Sequence, residues 1–257
     1  WTQQLLSAGV SDLLLLNTCP RQFYYQRLLG LPQRPRVLTG LQDSPITSQP
    51  QVDPLLRGNL AHLACARLTP DQDLATLVLA CAQELGLTAP EHEQLITEVQ
   101  TLLATYRSSQ LFTRLSSVQQ VLSEEPFSFE LARVCIRGTV DKLAFFPDGS
   151  GLLIDFKTNQ IAAEQVQSCA AGYRLQLHLY AAAIQGIYGQ RLSNLEVGIY
   201  FLVPGTYIEL SLPPVEELVQ TITRLRSYLV PGEIAGYPQN QANCGFCSYT
   251  RYCLRQN

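Results

Sequence analysis

The chain has 257 residues, 46% of them hydrophobic, and a formal net charge of −3. That length buries a sizeable core and suits a single domain over residues 1–257, with room for a helical insertion. The charge argues against a protein that coats duplex nucleic acid through a uniformly basic surface, and no apolar run approaches the ~20 residues that cross a bilayer, so no membrane contact is expected.

Leu13 to Leu16 is too short, and lacks the basic flank and cleavage site, to be a signal peptide, which makes a cytoplasmic location the expectation. Eight cysteines in such a chain point to reduced thiols and metal ligation more than to a disulfide framework. The chain begins at Trp1 and has no methionine, as expected of a domain cut from a longer protein.

In chain order, residues 11–29 read as a helix, with Ser11 as N-cap, Pro20 as a kink or interruption, and Gly30 with Pro32 as the stop. Residues 31–54 are rich in Pro, Gln, Ser and Thr without periodicity and read as a loop. Helical periodicity returns over 55–68, 71–86 and 91–109, broken at Pro70 and Pro90. From Val118 the pattern turns to strand, first over 118–131 with Glu124 and Glu125, then over two runs flanking Pro147-Asp148-Gly149-Ser150-Gly151, a turn-forming cluster that predicts a β-hairpin. A helix over 164–188, strands over 195–204 and 206–212, and an amphipathic helix over 214–229 complete a sheet packed between helices.

The hairpin carries the chemistry. With its turn near Asp148, Asp141 falls opposite Asp155, and like charges so placed repel. Asp155 sits among Leu152, Leu153, Ile154 and Phe156, where a carboxylate is rarely left unpaired. Lys157, two residues on, shares the face of Asp155. The three form a cluster whose carboxylates are hard oxygen ligands for Mg²⁺ or Mn²⁺, with a lysine that can orient or deprotonate water. Of the 18 basic residues only Lys142 and Lys157 are lysine, so the residue type here is not explained by composition. An ordinary surface ion pair on a hairpin is the bland alternative.

These residues carry a resemblance. Gly138 to Asp141 (G-x-x-D) followed by I-D-F-K resembles motifs II and III of the PD-(D/E)XK nuclease superfamily, in particular its RecB and AddB branch. Four further signatures stand in the family's order. Cys19-Pro20-Arg21-Gln22-Phe23 resembles C-P-x-x-F, Gly58 to His62 resembles G-x-x-x-H, Gln176 to Tyr180 resembles Q-x-x-x-Y, and the fourth, Cys244-x2-Cys247-x5-Cys253, closes the chain. Glu124 or Glu125 resembles the loosely defined acidic position ahead of motif II, with a solvated strand edge as the alternative. A departure is Thr158-Asn159 after D-x-K, where relatives more often carry Thr-Gly.

The resemblance implies a restriction-endonuclease-like α/β fold: a mixed β-sheet core over 118–230 flanked by helices, with a helical part at 55–110 and a cysteine staple joining 1–30 to 240–257. It implies that His62, Asp141, Asp155 and the carbonyl of Phe156 hold Mg²⁺ or Mn²⁺, with Asp141, Asp155 and Lys157 catalytic. Gln176 and Tyr180 would face DNA, with Arg21 and Arg174 as phosphate contacts. It also implies a 4Fe-4S cluster on Cys19, Cys244, Cys247 and Cys253, for which a four-cysteine zinc site is the rival. Cys65, Cys81, Cys135 and Cys169 read as ordinary free thiols, and His92 and His178 as structural. The implied activity is exonucleolytic cleavage of single-stranded DNA ends in recombinational repair, beside a helicase partner or fused helicase domain. A CRISPR-adaptation nuclease and a catalytically silent DNA-binding scaffold of the same fold are the alternatives.

Overall fold

A computed structural model describes residues 5–33, 53–88 and 90–253, so most of the expected 31–54 loop lies outside the described residues. In chain order the elements are β1 (Leu6–Gly9), α1 (Val10–Thr18), α2 (Pro20–Phe23), α3 (Pro54–Arg67), α4 (Leu74–Glu84), α5 (Glu93–Arg107), α6 (Gln110–Leu115), β2 (Gln120–Leu131), β3 (Val134–Phe145), β4 (Ser150–Lys157), α7 (Val166–Ala171), α8 (Arg174–Tyr188), β5 (Asn194–Phe201), β6 (Thr206–Glu209), α9 (Val215–Arg226) and α10 (Thr250–Cys253). Among the described residues no helix is long and apolar enough to cross a membrane.

The chain divides into two compact units, one of residues 50–127 and 139–213, the other of 1–49, 128–138 and 214–257. In the first, β3 and β4 form the antiparallel hairpin in the expected register, with Lys142 opposite Ile154 and Phe145 opposite Gly151. Its turn is built as the residues dictate: Asp148 Oδ1 accepts from the Ser150 N–H at 2.8 Å, and Gly149 takes φ +81°, a backbone conformation open to glycine. β4 then pairs in parallel with β5, and β5 antiparallel with β6, which makes the sheet mixed.

Helices cover both faces of that sheet. Leu60, Ala64, Val78, Val99 and Leu103 from α3 to α5 share a core with Leu152, Ile154, Phe156 and Tyr200, while α8 packs on β5. A strand covered on both sides needs apolar residues throughout, which is why β4 reads as an unbroken run and why Gly151 to Phe156 are all buried. Asp155, 1% exposed in the middle of that run, is the one ionisable group that the sheet buries there.

In the second unit β1, a strand too short to stand out in the sequence, pairs in parallel with the first half of β3, from Leu6 opposite Val134 to Gly9 opposite Arg137. The helix expected over 11–29 begins at Val10, capped by Gly9, whose N–H donates to Asp12 Oδ2 at 3.2 Å. It stops at Thr18: a residue before proline is driven from helical to extended backbone, and Cys19 takes φ −164° and ψ 109°. Pro20 then opens α2, and a π-helical turn over Tyr24–Leu28 follows. The helix expected over 55–68 stands as α3, those over 71–86, 91–109 and 214–229 are shorter at their ends, and that over 164–188 is divided. Residues 164–188 break at Gly172 and Tyr173 between α7 and α8, and α6 starts separately where Ser109 Oγ accepts from the Phe112 N–H at 3.1 Å.

Candidate active site

Asp155 ends up buried because β4 is buried, and Asp141 is carried beside it by the hairpin register. Asp141 Oδ2 accepts from the backbone N–H of Phe156 at 2.7 Å and lies 3.3 Å from His62 Nδ1, so α3 and the hairpin meet on one carboxylate oxygen. His62 reaches that point because Arg57, one and a half turns earlier on α3, anchors the helix. Its guanidinium, 4% exposed, donates to the carbonyl of Thr158 at 3.0 Å and to Glu98 Oε1 at 3.1 Å.

Glu124 completes a triad. Ligand atoms of His62, Glu124 and Asp141 all lie within 4.8 Å of one another, the separation at which three groups can grip one ion. The backbone decides which of the two glutamates takes part. Glu124 has φ +52°, a left-handed kink inside β2 that breaks strand alternation, and Glu125 Oε1 accepts from the Tyr188 hydroxyl at 3.0 Å.

On the α8 side, the Gln176 amide donates to Asp155 Oδ1 at 3.0 Å and to the Tyr180 hydroxyl at 2.9 Å. Lys157 Nζ lies 2.6 Å from Asp155 Oδ2, a charge contact outside hydrogen-bond angles, so that buried oxygen has no hydrogen-bond partner among the described residues. Buried carboxylate oxygens are rarely left so, and this one sits beside the triad. Oxygen-rich donors with one imidazole, and a buried carboxylate with unused acceptor capacity, fit a hard divalent cation such as Mg²⁺ or Mn²⁺.

The electrostatics follow. Burial, reinforced by Asp141, raises the Asp155 carboxyl above the usual carboxylate range against the pull of Lys157. Burial and Asp141 also raise Glu124, with His62 and Lys142 opposing. His62 is pulled down by burial, but its contact with Asp141 outweighs that and the net shift is upward. Lys157 likewise loses solvation, and Asp155 more than restores its charge, so its ammonium is held.

Tyr180 is 7% exposed and packs edge-on against Phe127 at 5.6 Å, with its hydroxyl accepting from the Gln176 amide. Arg174 is exposed at the start of α8. Arg21 belongs to the second unit, where its Nε donates to the carbonyl of Tyr237 at 2.6 Å, a structural tie between α2 and the chain end. Arg57, and Tyr173 with Asn159 at the end of β4, have no sequence signal of their own: each acts through a partner distant along the chain.

The four cysteines of the expected cluster all lie in the second unit. Cys19 Sγ accepts from the Asn240 N–H at 3.4 Å, and Cys247 Sγ from the Tyr249 N–H at 3.4 Å. Around them the chain end docks on the first helices: Asn240 Nδ2 donates to the carbonyl of Thr18 at 2.8 Å, and the Arg21 N–H to that of Pro238 at 3.2 Å. Cys253 is buried with Tyr25 and Tyr249, with Cys247 packed beside them. Among the described residues no cysteine forms a disulfide, and Cys65 and Cys81 lie deep in the helical core.

A family model described as the PD-(D/E)XK nuclease superfamily matches residues 7–254. An ATP-dependent helicase/nuclease subunit from Listeria welshimeri is 30% identical over 144 residues, 48% of this chain and 11% of that protein. Its namesake from Carboxydothermus hydrogenoformans is 24% identical over 169 residues, 58% of this chain and 14% of its own length. The chain therefore matches a small fraction of the relatives' length. A crystal structure from Eubacterium rectale, described as that of a candidate exonuclease, superposes with a TM-score of 0.54 at 12% identity, covering 98% of this chain and 88% of that one, which shows a shared fold.

Proposed function

Because this chain belongs to the PD-(D/E)XK nuclease superfamily, we propose that it is a divalent-metal-dependent deoxyribonuclease acting on single-stranded DNA ends. The observation that carries the reading is the meeting of the His62, Glu124 and Asp141 ligand atoms within 4.8 Å, beside the buried Asp155 and its Lys157 partner.

His62, Glu124, Asp141, Asp155 and the carbonyl of Phe156 would hold Mg²⁺ or Mn²⁺, which would supply Lewis acidity toward water and the leaving oxygen. Lys157 orients the attacking water and offsets negative charge on the phosphate as the water oxygen bonds to phosphorus and the bridging P–O bond breaks. Gln176 keeps Asp155 Oδ1 occupied and the carboxylate aligned.

A groove of about 470 Å³ beside His62 and Glu124 leaves room for a strand to approach the ligands. Arg174 serves the neighbouring phosphates. The relatives' names support work beside a helicase. Cys19, Cys244, Cys247 and Cys253 would hold a 4Fe-4S cluster, which would tie the chain end to the first helices. The N–H donors on Cys19 and Cys247 support it, since such bonds stabilise thiolate sulfur. Cleavage of end-labelled single strands with and without Mn²⁺, by protein purified without oxygen, tests the reading.

A further inference from the structure

Lys157 is the last residue of β4, and its backbone carbonyl accepts from the Leu202 N–H at 2.8 Å. The strand therefore fixes its Cα but not the end of a flexible four-carbon stem. The contact with Asp155 alone fixes one direction of approach. A second contact comes from α8: the ammonium lies 4.8 Å from the centroid of the Tyr173 ring, over its face. The ring is itself held at two points. The Tyr173 hydroxyl donates to Asn159 Oδ1 at 3.0 Å, and the ring packs against Phe201 of β5 at 6.3 Å.

Tyr173 is the N-cap residue of α8 and Gln176 lies in the helix's first turn, and both side chains reach the D-x-K pair. Gln176 holds Asp155 while Tyr173 holds Lys157. The signature Q-x-x-x-Y is thus the visible half of a longer set, Tyr173, Gln176 and Tyr180, laid along the two residues of D-x-K.

We propose that Tyr173, pinned by Asn159, is a positioning residue for catalysis, holding the Lys157 ammonium between the Asp155 carboxylate and its own ring in the orientation that the attacking water needs. This rests on the nuclease reading above. A cation over an aromatic face is attracted by the ring quadrupole without accepting its proton, so the ring orders the ammonium and leaves its N–H groups free. A water-orienting group displaced by about 1 Å costs rate, not substrate affinity.

Single-turnover cleavage of a saturating single-stranded substrate tests it. Tyr173→Leu lowers kcat about tenfold while KM, DNA affinity and the melting temperature hold. Tyr173→Phe keeps the ring and stays within about threefold of wild type, as does Asn159→Ala, and the double variant is no slower than either alone because both remove one pin. Unchanged kcat in Tyr173→Leu, or a loss confined to KM, overturns the proposal. Should that variant not fold, phenylalanine with zero to three ring fluorines at position 173 preserves shape while draining the quadrupole. A stepwise fall in kcat supports the proposal, and a flat series overturns it. Wild-type protein that cuts no strand with any divalent ion overturns the nuclease reading and this inference together, whereas active wild type with an indifferent Tyr173 overturns this inference alone.

Discussion

The backbone N–H of Phe156 donates to Asp141 Oδ2 at 2.7 Å, so one oxygen of Asp141 is locked across the hairpin while His62 Nδ1 stands 3.3 Å from it. This bond sets the angle at which the second carboxylate oxygen meets its neighbours. Saturating Mn²⁺ binds the native state and raises its melting temperature, by roughly 5–10 °C at a hundredfold excess over Kd. Asp141→Asn folds but loses most of that shift, which differential scanning fluorimetry reads directly. An equal shift in wild type and variant would remove Asp141 from the ligand set.

The two adjacent glutamates separate function from surface. Glu124→Gln weakens metal-dependent cleavage by about tenfold or more, on the scale of losing one ligand group, while Glu125→Gln, whose amide oxygen can still accept from the Tyr188 hydroxyl, stays within about threefold. Glu124→Gly adds a second test. Glycine relieves the φ of +52°, so stability holds or rises by up to about 1 kcal/mol while activity falls. Urea denaturation beside the cleavage assay measures both.

Cys65, fully buried one turn after His62 on α3, gives a pH signature. Burial pushes its thiol up from 9.0 to about 12. A group whose folded pKa is raised contributes stability that is whole below its unfolded pKa and is lost as pH climbs toward the folded value. The window is therefore pH 9 to 12, with a slope approaching about 1.4 kcal/mol per pH unit. Denaturation at pH 7.5 and pH 10.5 shows the gap between wild type and Cys65→Ala narrowing at the higher pH. A pH-independent gap would mean the thiol is not held in its neutral form.

For the second unit, protein purified without oxygen is brown, and Cys19→Ser, Cys247→Ser or Cys253→Ser each bleaches it, whereas Cys65→Ala and Cys169→Ala do not. Losing Cys19 also frees the chain end that Asn240 and Arg21 dock, so protease cleaves near residues 237–247 sooner. A colourless wild type carrying one zinc would replace the cluster with a mononuclear site.

The hairpin was legible because its determinants are local. Asp148 and Gly149 make the turn, and once the turn is placed, counting outward puts Asp141 opposite Asp155. The interruption at Pro20 and the long helical elements followed from equally local rules. What could not be read depends on partners far along the chain. β1 has four residues and exists through pairing with β3. The turn between β2 and β3 uses Ala132 and Arg133 at positive φ, without the glycine or asparagine that marks such a turn. The kink at Glu124 hides which glutamate meets His62 and Asp141, and the places of Arg57 and Tyr173 depend on the fold bringing β4 between α3 and α8. Gln176 and Tyr180 share a helix face, as their spacing implies, and the burial of Tyr180 against Phe127 is set by packing alone.

The most direct test of the account is cleavage of a 5′-end-labelled single strand by wild type and Asp155→Ala, with Mn²⁺, with Mg²⁺ and with chelator. The account predicts products from wild type only when a divalent ion is present, and a loss of at least about a hundredfold in the variant despite retained folding and DNA binding. Equal products from wild type and Asp155→Ala, or wild type that binds the strand and leaves it whole with either ion, would contradict it.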